Sequence, residues 1–257
     1  MMKIVNFKKG IILILFFAAI AAGLIVCQSR LGEIKPSVIF AKLDILGNHL
    51  PVDSSLLPNS PSPRDLGGLP SEVLLSVPFG SQSPYAIWDE RDEESCEEAS
   101  IAMVHYFWQK KKLTRAAMRQ ELDKLIAFQV KYYGDYKDSD SAGIARIARE
   151  YYGYQKAEAR YDITVEDLKK ELAAGNPVII PAAGRLLSNP NFTGAGPLYH
   201  VLVLIGYNSK GFIANDPGTR RGEKYFYSYN VLYNAIHDFP GSKEKILEGR
   251  KAMVVIY

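Results

Sequence analysis

The spacing of apolar residues changes character partway along the chain. Between residues 96 and 110 the positions Ala99, Met103, Tyr106 and Phe107 recur three and four apart, which predicts a helix with one buried face. Ser95 stands at its expected N-cap, and Glu98 three residues on would complete a capping box. The same period predicts helices over residues 114–132, 141–152 and 164–174. The last begins with Thr164 capping Asp167 and is stopped by Gly175-Asn176-Pro177. After that the period shortens. Val178-Ile179-Ile180 is a brief apolar run, and residues 199–205 are apolar except for His200, the pattern of a strand covered on both faces. Asn208-Ser209-Lys210-Gly211 signals a turn into a partner strand at residues 211–215. Residues 229–238 read as a helix and 252–257 as a last strand. Helices first, packed on a mostly antiparallel sheet, define the α+β class.

The amino terminus follows a different rule. Lys3, Lys8 and Lys9 precede residues 10–26, which carry no polar side chain. A basic flank before an apolar run of about 17 residues is a secretory signal or a signal anchor, with the basic end in the cytoplasm. The expected organisation is a membrane segment at residues 1–27, an extracytoplasmic linker at 28–71 containing LPNSPSPRDLGGLP, and a domain at 72–257. Single-pass anchoring, cleavage near Ala19-Ile20-Ala21 and lipidation of Cys27 are the three alternatives. Val26 before the cysteine is larger than a lipidation signal calls for.

The three leading lysines account for the whole difference between 31 basic and 28 acidic side chains, so the body is neutral. A neutral body lacks the footprint that nucleic-acid binding requires. Two cysteines exclude a disulfide framework, and His49, His105, His200 and His237 show no close ligand spacing, so neither a metal nor another cofactor is expected. His105 reads as a core or flank residue, His237 as an ion pair with Asp238, and Trp88 and Trp108 as packing residues.

Chemistry concentrates at Cys96. A cysteine in the first turn of a helix meets unpaired N–H groups and the positive dipole end, which favour thiolate. Such a nucleophile needs a base, and His200 opens an apolar strand where an unpartnered imidazole would be costly to bury. The next strand ends in Asn215-Asp216-Pro217 at the same end of the hairpin. With a plain two-residue turn Asn215 would share the His200 face, whereas a bulge near Gly206 or Gly211 would bring Asp216 there instead.

Four motifs in order resemble the peptidase C39-like family: Val77-Pro78-Phe79-Gly80-Ser81-Gln82, Cys96-Glu97-Glu98-Ala99-Ser100, Tyr199-His200 through Gly206-Tyr207, and Asn215-Asp216-Pro217-Gly218. The resemblance covers about residues 73–257 and implies a papain-like cysteine peptidase domain acting on a peptide or protein substrate. It implies Cys96 as nucleophile, His200 as general base, Asp216 as the orienting acid and Gln82 as an oxyanion donor. Many members carry Gly-Pro after the cysteine, where Glu97 and Glu98 stand here. Those two, with Asp89, Glu90, Asp92, Glu93 and Glu94, are expected to form a solvated acidic loop and a well-capped helix start. The functional alternative is that they select basic substrates or suppress the thiol. Two rival functions share these motifs: a peptidoglycan-directed amidase or endopeptidase, and a non-catalytic binding module that keeps the fold.

Overall fold

The computed structural model describes residues 68–257. The apolar segment 10–26, Cys27 and the linker as far as residue 67 lie outside the described residues. Among the described residues no helix is long and apolar enough to cross a membrane.

A short strand β1 (Val73–Leu74) and a one-turn helix α1 (Glu90–Glu93) lead into α2 (Cys96–Trp108), α3 (Arg115–Tyr133) and α4 (Ser141–Tyr152). Then follow β2 (Glu158–Tyr161), α5 (Val165–Ala173), β3 (Val178–Ala183), β4 (Tyr199–Tyr207), β5 (Gly211–Asn215), β6 (Tyr225–Ser228), α6 (Tyr229–Ala235) and β7 (Ala252–Val255). The sheet runs β2-β7-β3-β4-β5-β6 with β1 added to β4, and these pairings are antiparallel. This is the expected α+β class.

Strand β4 is buried along its whole length, because helices cover both faces of the sheet. Val201, Val203 and Ile205 join the core beneath α2, α3 and α4, with Ile101, Leu122 and Ile147. Leu202 and Leu204 point the other way, into a core shared with Leu168 and Leu172 of α5 and Leu232 of α6. Alternation of period two thus feeds two cores from one strand. Burying a leucine or isoleucine here contributes about 1.5–3 kcal/mol, so the central strand is the least movable part of the fold.

Three helices start on side-chain caps. Thr114 accepts from the Ala117 N–H, Asp140 from the Gly143 N–H, and Thr164 with Asp167 forms the expected capping box. Each such cap contributes about 1 kcal/mol. The capping box expected at Ser95 and Glu98 is not formed. The Ser95 hydroxyl donates back to the Arg91 carbonyl, since Ser95 also closes the turn of α1, and the Glu98 carboxylate is turned toward Gln129. Helix α6 stops at Ala235 rather than 238, because Ile236 bridges to Ala182. His237 bonds the Gly249 carbonyl at 2.9 Å and not Asp238, whose carboxylate instead accepts from Ser141 at the start of α4.

Candidate active site

His200 and Asp216 are joined at 2.8 Å, from ring Nε2 to carboxylate Oδ1, and both are almost wholly buried. Their meeting depends on a register shift. Gly206 pairs with Ile213 and Tyr207 with Phe212, but Leu204 pairs with Ala214 and Val203 with Asn215, so Ile205 is an extra residue on β4. The bulge moves Asn215 across from Val203 and places Asp216 on the His200 face. Asn215 is turned elsewhere: its amide donates to the Val77 carbonyl and its oxygen accepts from the Lys224 N–H.

Asp216 is held by more than the imidazole. The Tyr227 hydroxyl donates to Oδ2 at 2.6 Å, the Asn189 amide donates to it at 3.2 Å, and the Gly218 N–H donates to Oδ1 at 3.0 Å. Burial alone would push this carboxyl up. The facing His200, Tyr227 and Gly218 outweigh that and hold it below the ordinary aspartate value, so it is ionised near neutral pH. An ionised partner at Nε2 keeps the proton on that nitrogen and leaves Nδ1 as the acceptor.

Phe192 packs edge-on to the imidazole, with ring centroids 5.4 Å apart. Gly218 has no side chain for a steric reason, since a Cβ there would lie 2.8 Å from His200 Cε1. Tyr227, Asn189 and Phe192 were not singled out from the sequence. Asn189 and Phe192 lie in the Gly-rich loop of residues 184–197 before His200, and Tyr227 is one of 16 tyrosines without a distinguishing pattern.

Cys96 begins α2, as predicted, but its thiol is engaged by its neighbour. Sγ donates to Glu97 Oε2 at 3.0 Å, and among the described residues it makes no hydrogen bond to His200. The other Glu97 oxygen accepts from the Ser139 N–H at 2.9 Å. Burial pushes the thiol up, and the Glu97 and Glu98 charges push it further, against a smaller opposing effect of the Val201 backbone. The solvated acidic loop expected at this point holds for Glu90 and Glu93, which are exposed, and is corrected for Asp92, Glu97 and Glu98. Glu97 is 1% exposed, Glu98 is fully buried and Asp92 is 3% exposed. Asp92 pairs with Arg119 and accepts from Ser83, so α1 is clamped to α3. Glu97 is raised by burial to about 7, with Asp138 adding to the effect and the bonds from Cys96 and Ser139 opposing it. Burial and the adjacent Glu97 also raise Glu98, despite the bond from Gln129.

Gln82 reaches the site, but its amide nitrogen is occupied. Nε2 donates to the Asp92 carbonyl at 2.8 Å and to the Glu93 carbonyl at 3.1 Å, and the amide oxygen has no partner.

These groups border one cleft of about 1100 Å³, whose walls include Gln82, Cys96, Glu97 and His200. Trp88 and Phe192 also line it, so Trp88 is a cleft residue rather than a packing residue alone. Lys243 bridges Glu94 at 2.7 Å and Asp138 at 3.1 Å in the same wall. His105 behaves as expected, stacked on Tyr152 and bonded to the Tyr154 hydroxyl outside the cleft. Among the described residues no group of His, Cys, Asp and Glu is arranged to hold a metal ion.

Comparison with family models matches residues 74–239 to the Peptidase C39-like family. No curated protein matches the chain. Similar solved structures include a C39-like peptidase from Bacillus anthracis at 17% identity, covering 73% of this chain and 98% of that one with a TM-score of 0.42. They also include a prointerpain A fragment from Prevotella intermedia at 15% identity, covering 72% of each chain with a TM-score of 0.46.

Proposed function

The chain belongs to the peptidase C39-like family, and from that premise we propose that it is a papain-like cysteine peptidase with Cys96 as nucleophile and His200 as general base. What carries the reading is His200, backed by the buried Asp216, in the wall of the cleft that Cys96 also lines.

The reaction starts when the thiol turns from Glu97 to His200 Nδ1 and passes its proton there. Sγ then attacks the substrate carbonyl carbon, and the carbonyl oxygen takes the negative charge. The backbone N–H at the start of α2 is one donor to that oxyanion. Gln82 is the second once it gives up the longer of its two carbonyl bonds, the one to Glu93. Imidazolium returns the proton to the leaving amine as the carbon–nitrogen bond breaks, leaving a thioester. Water, deprotonated by His200, splits the thioester and restores the thiol. Asp216 is a positioning residue, holding the ring tautomer that leaves Nδ1 free.

The basic flank and apolar segment of residues 1–26 support placing the domain of residues 72–257 outside the cytoplasmic membrane, tethered or released. A peptide or protein is the proposed substrate. The contact between Cys96 and Glu97 favours a second reading, a binding module that keeps the fold with a suppressed thiol.

One experiment separates them. The full chain is incubated with a pool of internally quenched peptides, beside Cys96→Ala and His200→Ala. Turnover by the parent alone, with a thioester adduct on Cys96 by mass spectrometry, supports the peptidase. No turnover, together with a thiol that iodoacetamide fails to modify between about pH 4 and 9, supports the binding module.

A further inference from the structure

A second, smaller pocket of about 480 Å³ adjoins the cleft, with Phe79, Leu113 and Met118 as its apolar lining. That lining is tightly packed, since a Cβ on Gly80 in the same wall would lie 2.1 Å from Met118 Cε. Arg115 and Arg220 also line the pocket, and no aspartate or glutamate does. Both arginines are exposed, and neither belongs to an ion pair among the described residues. Arg91 of α1 and Arg119 of α3, by contrast, are each held by two aspartates.

Arg220 lines the cleft as well, so one side chain stands between the two spaces. The segment around it divides them in the same way: Ser81 lines the pocket and Gln82 the cleft. The turn that carries Arg220 is fixed to the site. The Pro217 carbonyl accepts from the Gln82 N–H at 3.0 Å and from the Ser81 hydroxyl at 3.3 Å, and the Asp216 N–H donates to the Gly222 carbonyl at 2.9 Å. A peptide lying in the cleft therefore meets Arg220 at the entrance to the pocket. Guanidinium groups bind carboxylates through paired hydrogen bonds, and an apolar lining that displaces water strengthens the attraction.

We propose that Arg115 and Arg220 hold a carboxylate of a peptide lying in the cleft, presented by an acidic side chain or by the C-terminus of that peptide. The peptide as occupant rests on the peptidase reading, and the test separates the two. The full chain carrying Cys96→Ala is held on a surface, and binding of short N-acetylated peptide pools is measured by surface plasmon resonance. The pools carry glutamate or glutamine at each position in turn, and each is made with a free or an amidated C-terminus. The expected result is at least tenfold tighter binding of the acidic member of one such pair. A glutamate effect at one position assigns the side chain, and an acid-against-amide effect alone assigns the terminus. Arg115→Gln and Arg220→Gln should each remove most of the preference, whereas Arg221→Gln, which alters the cleft but not the pocket, should keep it. Equal binding throughout, no binding, or a preference indifferent to Arg115 and Arg220 would overturn the pocket. Cleavage of the same pools by the parent chain is read separately by mass spectrometry. Cleavage with no acidic preference would leave the peptidase reading standing and overturn the pocket. A preference that needs both arginines, without cleavage of any pool, would keep the pocket and overturn the peptidase reading.

Discussion

The Cys96 thiol donates to Glu97 at 3.0 Å, while His200 across the cleft is bound to Asp216 at 2.8 Å. The proposed nucleophile and base are therefore each paired with a carboxyl group, and the two carboxyls have opposite effects. Asp216 is held ionised and prepares the imidazole to accept a proton, whereas Glu97 raises the cost of making the thiolate. Because Glu97 titrates near 7, the balance between them changes within the physiological range.

Glu97→Gln removes the charge beside Sγ and, with its oxygen kept on the Ser139 N–H, turns its amide NH2 toward the sulfur. The thiol should then ionise more readily, and the midpoint of its iodoacetamide reaction against pH should fall by about one unit or more. Mass-resolved alkylation of Cys96 in the parent and the variant measures this. An unchanged midpoint would mean that burial alone sets the thiol.

The same substitution tests stability. Glu97 is raised from 4.5 to about 7 in the folded chain, so between those values the folded state holds more protons than the unfolded one. Its contribution is favourable below about pH 4.5 and is lost as pH rises toward 7, reaching a penalty of about 3 kcal/mol at most. Glu97→Gln should raise Tm at pH 8 and change it little at pH 4. A uniform shift at both values would assign the effect to packing instead.

Asp216→Asn removes the charge that fixes the His200 tautomer, and kcat should fall by about 10²–10⁴-fold with KM nearly unchanged. Tyr227→Phe leaves the His200–Asp216 hydrogen bond but takes away the 2.6 Å bond to Oδ2. It should cost less than tenfold and shift the acid limb of kcat/KM upward, because the carboxylate loses a donor. Asn215→Ala should lower stability without moving that limb, since its amide holds Val77 and Lys224 rather than the imidazole.

Gly218→Ala places a methyl 2.8 Å from His200 Cε1, closer than carbon atoms tolerate. The ring must tilt away from Asp216 or push against Phe192. The expected outcome is a loss of kcat of about tenfold or more with a Tm change of a few degrees, read by turnover and calorimetry in parallel. Full activity would mean that the 217–219 turn moves instead of the ring.

Helix periods, caps at Thr114 and Thr164, and the doubly covered strand β4 were legible along the chain because local spacing dictates them. Strands β2 and β6 were not, since EARY and YFYS are four residues each and show no alternation that distinguishes them from loop. While Gln82 entered only through the family resemblance, order and residue type also nominated Cys96 and His200 and left Asp216 and Asn215 as alternatives. Only the extra residue at Ile205 decides between them, because a one-residue shift exchanges the faces of every later position. Glu97 and Glu98 show the limit most directly. A carboxylate in a helix's first turn reads as solvated wherever burial is unknown, and here Gln129 meets Glu98 and the 138–139 loop meets Glu97 from distant parts of the chain. The sequence by itself determined which groups could carry the chemistry. The tertiary structure alone decided that Glu97 is buried against the Cys96 thiol outside every ion pair among the described residues, because charge pairing and desolvation depend on neighbours far away along the chain.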